Sequence, residues 1–157
     1  MNAPPIVLAS ASPRRYALLE QLGLRFSVEA PDVDETPLLD EAPVPYVQRL
    51  AVAKAHAVHV PAHTLVIAAD TTVDLGGGIL AKPVDADDAR AMLRRLSART
   101  HRVHTGVALR LGDRTVAETI TSLVTFTPLA AALIEWYVGT GEPLDKAGAY
   151  AVQGAGG

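Results

Sequence analysis

Two hydroxyls and two guanidiniums crowd into Ser10-Ala11-Ser12-Pro13-Arg14-Arg15, between the apolar run Ile6-Val7-Leu8-Ala9 and the amphipathic stretch Tyr16–Leu22 that Gly23 closes. The pattern reads as a strand, a polar loop and a helix start. Ser12 is placed to act as N-cap, and Pro13 suits the first helical position, where a missing N–H removes nothing the helix needs. Unpaired first-turn N–H groups and the positive end of the helix dipole then face the same loop as the arginines. Those residue types at that spacing suit an anion. Phosphate fits best, because Arg offers paired donors that match its oxygens. The plainer alternative is a surface helix with Ser12-Pro13 as its cap and both arginines solvated.

Carboxylates and ammonium groups stand at other segment ends. Leu65-Val66-Ile67-Ala68-Ala69 is a continuous apolar run, expected as a strand buried on both faces and ending at Asp70-Thr71-Thr72. A carboxylate behind five apolar residues is costly to bury without a purpose, which favours a chemical role for Asp70. Phe26–Ala30 alternates as a half-buried strand, and Pro31 opens an acidic loop with Asp32, Asp34 and Glu35. Glu35 is the carboxylate that joins the site, while Asp32 and Asp34 read as solvated loop charges. Lys54 sits among apolar neighbours on a helix, and Lys82 follows a glycine hairpin. Each lysine reads equally well as a phosphate ligand or as a chain that snorkels to water. Open α/β sheets bind ligands beyond the carboxyl ends of their parallel strands, so one crevice would collect these groups. Two carboxylates among several cations suit a divalent metal bound to a polyphosphate.

The elements that must position these groups follow from periodicity and punctuation. A helix introduced by Pro43 and Pro45 and ended by Pro61 places Val47, Leu50, Ala51, Lys54, Ala57 and Val58 on one broad face. Val73-Asp74-Leu75, Gly76-Gly77-Gly78 and Ile79-Leu80 form a hairpin. Asp85 caps a helix with the apolar stripe Ala89, Met92, Leu93 and Leu96. His101–Leu111 and Arg114–Phe126 alternate as long antiparallel strands joined by Gly112-Asp113. Thr127-Pro128 is expected to start a helix through Ile134, Trp136, Tyr137 and Val138, and a short strand to end at Gln153-Gly154. The order implies an α/β fold: a single mixed, curved β-sheet flanked by helices.

Composition narrows the functions available. The 157 residues, 49% hydrophobic and 20% charged, fit one domain with no linker. A formal charge of −3 and a pI near 5.9 give no general field for nucleic acid, so small phosphorylated ligands suit a local basic pocket better. There are no cysteines, which excludes disulfides and thiolate metal sites and agrees with a reducing cytoplasm. No apolar run approaches the roughly 20 residues needed to span a bilayer, so the chain reads as soluble, with no membrane partner.

Competing sites are weaker. His56, His59 and His63 are interrupted by Pro61 and lack a carboxylate ligand. His101 and His104 are an odd number of residues apart on a strand, so they point to opposite faces and cannot share a metal. Gly76-Gly77-Gly78 lacks the strand-to-helix setting of a P-loop. Ser12, followed by Pro, lacks the strained elbow of a hydrolase nucleophile.

Leu8-Ala9-Ser10-Ala11-Ser12-Pro13-Arg14-Arg15, Ala69-Asp70-Thr71, Lys82-Pro83, Leu93-Arg94-Arg95-Leu96-Ser97 and Asp145-Lys146-Ala147-Gly148-Ala149-Tyr150-Ala151-Val152-Gln153-Gly154 resemble, in order, the motifs of the Maf family of nucleoside triphosphate pyrophosphatases. The resemblance implies an inosine-triphosphatase-like mixed sheet, often in a homodimer. It also implies hydrolysis between the α and β phosphates of a nucleoside triphosphate with Mg²⁺ or Mn²⁺. On it, Asp70 matches the general base and a metal-side carboxylate, and Glu35 a metal-binding position. Ser10, Ser12, Arg14, Arg15, Lys54 and Lys82 match positions for the triphosphate. Arg14, Thr71 and Gln153 match the positions at which subfamilies differ, and they resemble the dTTP/UTP branch rather than the 7-methyl-GTP branch. A neutral amide at Gln153 suits the imide edge of a pyrimidine. Family members usually continue past the Gln-Gly motif with a further strand and helix, so the single domain of residues 1–157 is expected to lack them.

The leading expectation is therefore a cytoplasmic, metal-dependent dTTP/UTP pyrophosphatase. A 7-methyl-GTP pyrophosphatase, a non-catalytic nucleotide-binding regulator of cell division and septum formation, and an esterase using Ser12 are its rivals. Metal-dependent turnover separates the first from a binding module.

Overall fold

The computed structural model describes residues 3–157. Among them the strands form one six-stranded mixed sheet in the order β2-β1-β3-β5-β6, with β4 paired to β3. By contact density the chain falls into two compact units, Met1–Asp70 with Thr105–Ile120, and Thr71–His104 with Thr121–Gly157. No helix among the described residues is long and apolar enough to cross a membrane.

In the first unit, β1 (Ile6–Ala9) pairs in parallel with both β2 (Ser27–Val28) and the opening of β3 (Leu65–Leu75). The expected half-buried strand over Phe26–Ala30 is much shorter, and both residues of β2 are exposed. Only Ser27 and Val28 find partners, opposite Val7 and Leu8. Helix α1 (Pro13–Gln21) ends as expected, with Gly23 at φ 72° and Leu24 N–H donating to Leu19 O.

Helix α2 (Pro43–Ala57) supplies the core of this unit. Ala51, Ala55 and the following Val58 pack against Val7, Ala9, Val66, Ala68 and Ala108. The helix lies so close to β5 (Thr100–Leu111) that a Cβ on Gly106 would fall 2.5 Å from Val47 O, so only glycine admits it. The last turn of α2 receives Arg110, whose Nε and one terminal nitrogen each donate at 2.8 Å to Ala55 O and Val58 O. These are carbonyls that a helix end leaves unpaired.

β3 corrects one expectation: it does not stop at Asp70 but runs on to Leu75. Its parallel ladder with β1 ends at Ala68, opposite Ala9. Beyond that, Val73, Asp74 and Leu75 pair antiparallel with Leu80, Ile79 and Gly78 of β4 (Gly78–Leu80), which keeps the chain extended. Gly76 and Gly77 make the turn with φ of 66° and 89°, values that favour glycine at both central positions of a tight hairpin.

In the second unit, Asp85 caps α3 (Ala86–Leu96) by accepting the Asp88 N–H at 2.8 Å, as the sequence predicts. Its stripe, Ala89, Met92, Leu93 and Leu96, packs with Ile134, Tyr137 and Val138 of α4 (Ala131–Gly139) and with Val73, Leu80, Ala149 and Tyr150. α4 does not start at Thr127-Pro128. Thr127 O accepts the Ala98 N–H, and Leu129 N–H donates to Ser97 Oγ, so this stretch is committed to the end of α3. β6 (Arg114–Thr125) follows β5 after Gly112-Asp113, a connection so short that it requires an antiparallel pair. Two 3₁₀ turns, Glu142–Asp145 and Ala147–Ala149, lead to a turn at Val152–Gly156 rather than the expected strand. Glu142 accepts the Ala155 N–H at 3.1 Å and holds that turn.

Candidate active site

The first unit brings Ser10, Arg15, Glu35, Lys54 and Asp70 into one charged cluster. Ser10 leaves β1 as a buried residue, and its Oγ accepts both the Ser12 N–H at 3.2 Å and an Arg15 terminal nitrogen at 3.1 Å. That bond folds the Arg15 guanidinium inward. Burial and the neighbouring Arg14 push its pKa down, while the carboxylates of Asp70 and Glu35 push it up. Arg14 on the same turn is exposed.

Ser12 occupies the N-cap position with extended backbone, but its side chain makes no capping bond, which corrects the sequence reading. Pro13 still stands at the start of α1, and Tyr16 N–H returns to Ser12 O. The first-turn amides of α1 are thus not covered by Ser12, and no histidine among the described residues bonds its hydroxyl, as an esterase nucleophile would need.

Lys54 is the hub. It lies on the buried face of α2, 8% exposed, and its Nζ stands 2.6 Å from Asp70 Oδ1 and 2.6 Å from Glu35 Oε1. Sequence reading leaves Lys54 balanced between site and surface; the geometry makes it an ion-pair partner of two carboxylates. Asp70 itself is 8% exposed. Burial raises its pKa above the ordinary 3.8 against the pull of Lys54 and Arg15, and Glu35 adds to the rise. The Tyr46 hydroxyl, from the N-terminal part of α2, is pushed up to about 12 by burial and by the charges of Asp70 and Glu35. A buried carboxylate made more basic than usual, and steadied by a cation, is suited to accept a proton.

The donor set also tests for a metal. Among the described residues no three His, Cys, Asp or Glu side chains gather into a closed site. Glu35 and Asp70 instead bring two carboxylates to one neighbourhood, each with an oxygen 2.6 Å from the Lys54 ammonium. That fits Mg²⁺ or Mn²⁺, which take one or two carboxylates and complete their shells with water and substrate phosphate, and does not fit a structural zinc.

Lys82, Thr71 and Gln153 belong to the second unit. Lys82 and Gln153 are exposed and Thr71 is half-buried. Asp34 stays an exposed loop charge that accepts its own Thr36 N–H at 2.9 Å. His101 and His104 do face opposite ways. His101 packs edge-on to Phe126 and Tyr150, with Nε2 2.6 Å from the Tyr150 hydroxyl, whereas His104 bonds Thr121 and Asp74.

Tyr46, Arg49 and Glu41 escape the sequence reading. Tyr46 OH donates to Glu35 O at 2.8 Å, and Arg49 grips Glu41 through Nε at 2.6 Å and a terminal nitrogen at 2.7 Å. The available signal is helical spacing, since Tyr46, Arg49 and Lys54 recur along one side of α2.

Residues 5–157 match the family model described as Maf-like protein. The chain is 56% identical to the dTTP/UTP pyrophosphatase of Myxococcus xanthus, over 100% of this chain and 81% of that one. It is 49% identical to the dTTP/UTP pyrophosphatase of Symbiobacterium thermophilum, over 95% and 77%. In fold it is similar to the Staphylococcus aureus Ham1 protein, with a TM-score of 0.53 at 18% identity over 77% of this chain and 71% of that one. A HAM1 protein from Coxiella burnetii gives 0.50 at 16% identity, over 78% and 72%. With the ordered motifs, the Lys54-centred cluster and a family match that runs almost from end to end, this chain belongs to the Maf family.

Proposed function

We propose that this chain is a nucleoside triphosphate pyrophosphatase that converts dTTP and UTP to the monophosphate and pyrophosphate. The observation that carries the proposal is the buried Lys54 ammonium held between Asp70 and Glu35, with Arg15 folded toward them. The pyrophosphatase names of relatives near half identity point the same way.

Asp70 acts as general base. It takes a proton from a water that attacks the α-phosphorus; the bond from that phosphorus to the bridging oxygen breaks, and pyrophosphate leaves with the electron pair. Its raised pKa makes it a better acceptor than an exposed aspartate, and Lys54 keeps it oriented. Arg15, Arg14, Ser10, Ser12 and the open amides of α1 offset the charge of the phosphate tail. Lys82 is assigned to the phosphates by its motif. Glu35 and Asp70 would hold a Mg²⁺ or Mn²⁺ ion, which supplies a more acidic water and neutralises phosphate oxygens. Thr71 and Gln153 are assigned to the base, where the Gln153 amide matches the imide edge of thymine or uracil. Arg14 is assigned with them to substrate choice. We read its location as cytoplasmic, from the nucleotide substrates proposed here.

A panel of dTTP, UTP, dCTP, ATP, GTP and 7-methyl-GTP, incubated with Mg²⁺ or Mn²⁺ and resolved by ion-exchange chromatography, tests the reading. Monophosphate and pyrophosphate from dTTP and UTP are expected. Orthophosphate in place of pyrophosphate, or no cleavage of any member, refutes it.

A further inference from the structure

Residues 29–42 connect β2 to α2 without helix or strand, yet they carry Glu35. A connection of that length in a compact unit needs something other than a backbone ladder to fix it. Three side chains of α2 supply it. Tyr46 OH donates to Glu35 O at 2.8 Å. An Arg49 terminal nitrogen donates to the next carbonyl, Thr36 O, at 3.2 Å. Lys54 Nζ takes the Glu35 carboxylate at 2.6 Å. Consecutive carbonyls are therefore held by one end of α2, while the Glu35 side chain just before them is drawn toward a point about 12 Å of helix rise further along.

The Arg49 guanidinium does more than touch Thr36. Its Nε and one terminal nitrogen meet both oxygens of Glu41, and Glu41 Oε2 also accepts the Leu38 N–H at 2.9 Å. Arg49 lies 5.7 Å from the centre of the Tyr46 ring, so the two anchors brace each other. The Glu41 bond raises the Arg49 pKa and lowers that of Glu41, so the pair stays ionised across neutral pH. A lysine at position 49 has no fork with which to hold a carboxylate and a carbonyl together.

We propose that Tyr46 and Arg49 are positioning residues of the reaction: they clamp the peptide at Glu35 and Thr36 and so set where the Glu35 carboxylate stands beside Asp70. This rests on the pyrophosphatase reading for its effect on turnover, but not for its effect on cation binding. A group that orients a ligand from behind is typically worth 10-fold or more in metal affinity or activity.

The experiment is a double-mutant cycle read two ways. Mn²⁺ is titrated into the protein without nucleotide and followed by the loss of the free-ion EPR signal; pyrophosphate release is measured against Mn²⁺ concentration. Tyr46→Phe and Arg49→Lys should each weaken Mn²⁺ binding by about 10-fold and raise the half-activating concentration alike. On a Glu35→Gln background, already weak, neither should have a further effect, because both act through Glu35. Unchanged Mn²⁺ affinity in both variants, equal losses with and without Glu35, or no Mn²⁺ binding by the unsubstituted protein would each overturn the inference. Mn²⁺ binding that follows the cycle in a protein releasing no pyrophosphate would sink the functional reading and leave the clamp standing.

Discussion

Asp70 and Asp74 are four residues apart on β3, and both are buried, yet their surroundings prepare them for different work. Asp74 is satisfied by donors of its own hairpin and of β5, with the exposed Arg102 guanidinium 3.9 Å from its Oδ2. Its Oδ1 accepts the Gly77 N–H at 2.6 Å, and its Oδ2 lies 3.2 Å from His104 Nε2, while His104 Nδ1 meets Thr121 at 2.8 Å. That network closes a hairpin turn and ties a neighbouring strand to it. Asp70 has no such backbone donor; its hydrogen-bond partner among the described residues is the Lys54 ammonium, which it shares with Glu35. Burial leaves Asp70 more basic than usual, and the ammonium that bonds it also serves a second carboxylate. A structural carboxylate collects fixed donors, whereas the one proposed as the base is left with a proton affinity to use.

The largest effect should come from replacing Asp70. Asp70→Asn removes the proposed proton acceptor and should lower kcat by about 10³-fold, measured by pyrophosphate release, with dTTP binding by calorimetry largely kept. Its stability should not fall. Because the folded-state pKa of Asp70 is raised, its contribution to stability is fully present below the unfolded value and is lost as the pH rises through the folded one. At neutral pH the ionised group is therefore a cost that the amide removes, and Tm should hold or rise. A fall in Tm comparable to that of an Asp74 variant would erase the distinction. By the same shift, the acid limb of kcat/KM in the unsubstituted enzyme should lie above pH 3.8.

Next in size is Lys54→Met, which leaves two carboxylates facing each other with one of them buried. Removing one partner of a buried ion pair should cost about 3 kcal/mol in urea unfolding at pH 7. The deficit should shrink toward pH 4 as a carboxylate takes up a proton. A loss independent of pH would mean that Lys54 matters through its packing on α2 and not its charge.

Asp74→Ala tests the other side. It strands the Gly77 N–H and breaks the link to His104, so about 2 kcal/mol of stability should go. Turnover per folded molecule should stay within about twofold, as expected of a structural change without contact to the reacting groups. A drop in kcat as deep as that of Asp70→Asn would show both aspartates to be catalytic.

What the sequence discloses divides along the same line. Features made by near neighbours are legible: the Asp85 cap, the Gly76-Gly77 turn, the Gly23 helix stop and the opposite facing of His101 and His104. So is the clustering of the charged and polar groups, since Ser10, Arg15, Glu35, Lys54 and Asp70 do converge. Features decided by distant partners are not. Asp70 reads as a strand end because the apolar run stops there, but pairing of Val73–Leu75 with β4 carries the strand on. Thr127-Pro128 has the look of a helix start, yet its backbone is taken by Ala98 and its successor by Ser97. Tyr46 and Arg49 are hidden because their partners are carbonyls of an irregular segment, which no periodicity marks.

The smallest expected effect extends the comparison to a buried base whose partners are neutral. His101 stands against Phe126 and Tyr150, and burial holds its pKa below the ordinary 6.5. The unfolded chain therefore takes up the proton first. Stability contributed by the neutral ring is intact above pH 6.5 and is lost as the pH falls from there through the folded value. His101→Gln keeps a polar atom near the Tyr150 hydroxyl but cannot titrate, so calorimetry from pH 7.5 to pH 5 should show a shallower decline in Tm than the native chain. The variant will start lower at pH 7.5 because the fit to Phe126 is poorer, and the slope rather than the starting point carries the prediction. Parallel Tm curves would mean that His101 accepts its proton in place, and that the ring cluster tolerates a charge.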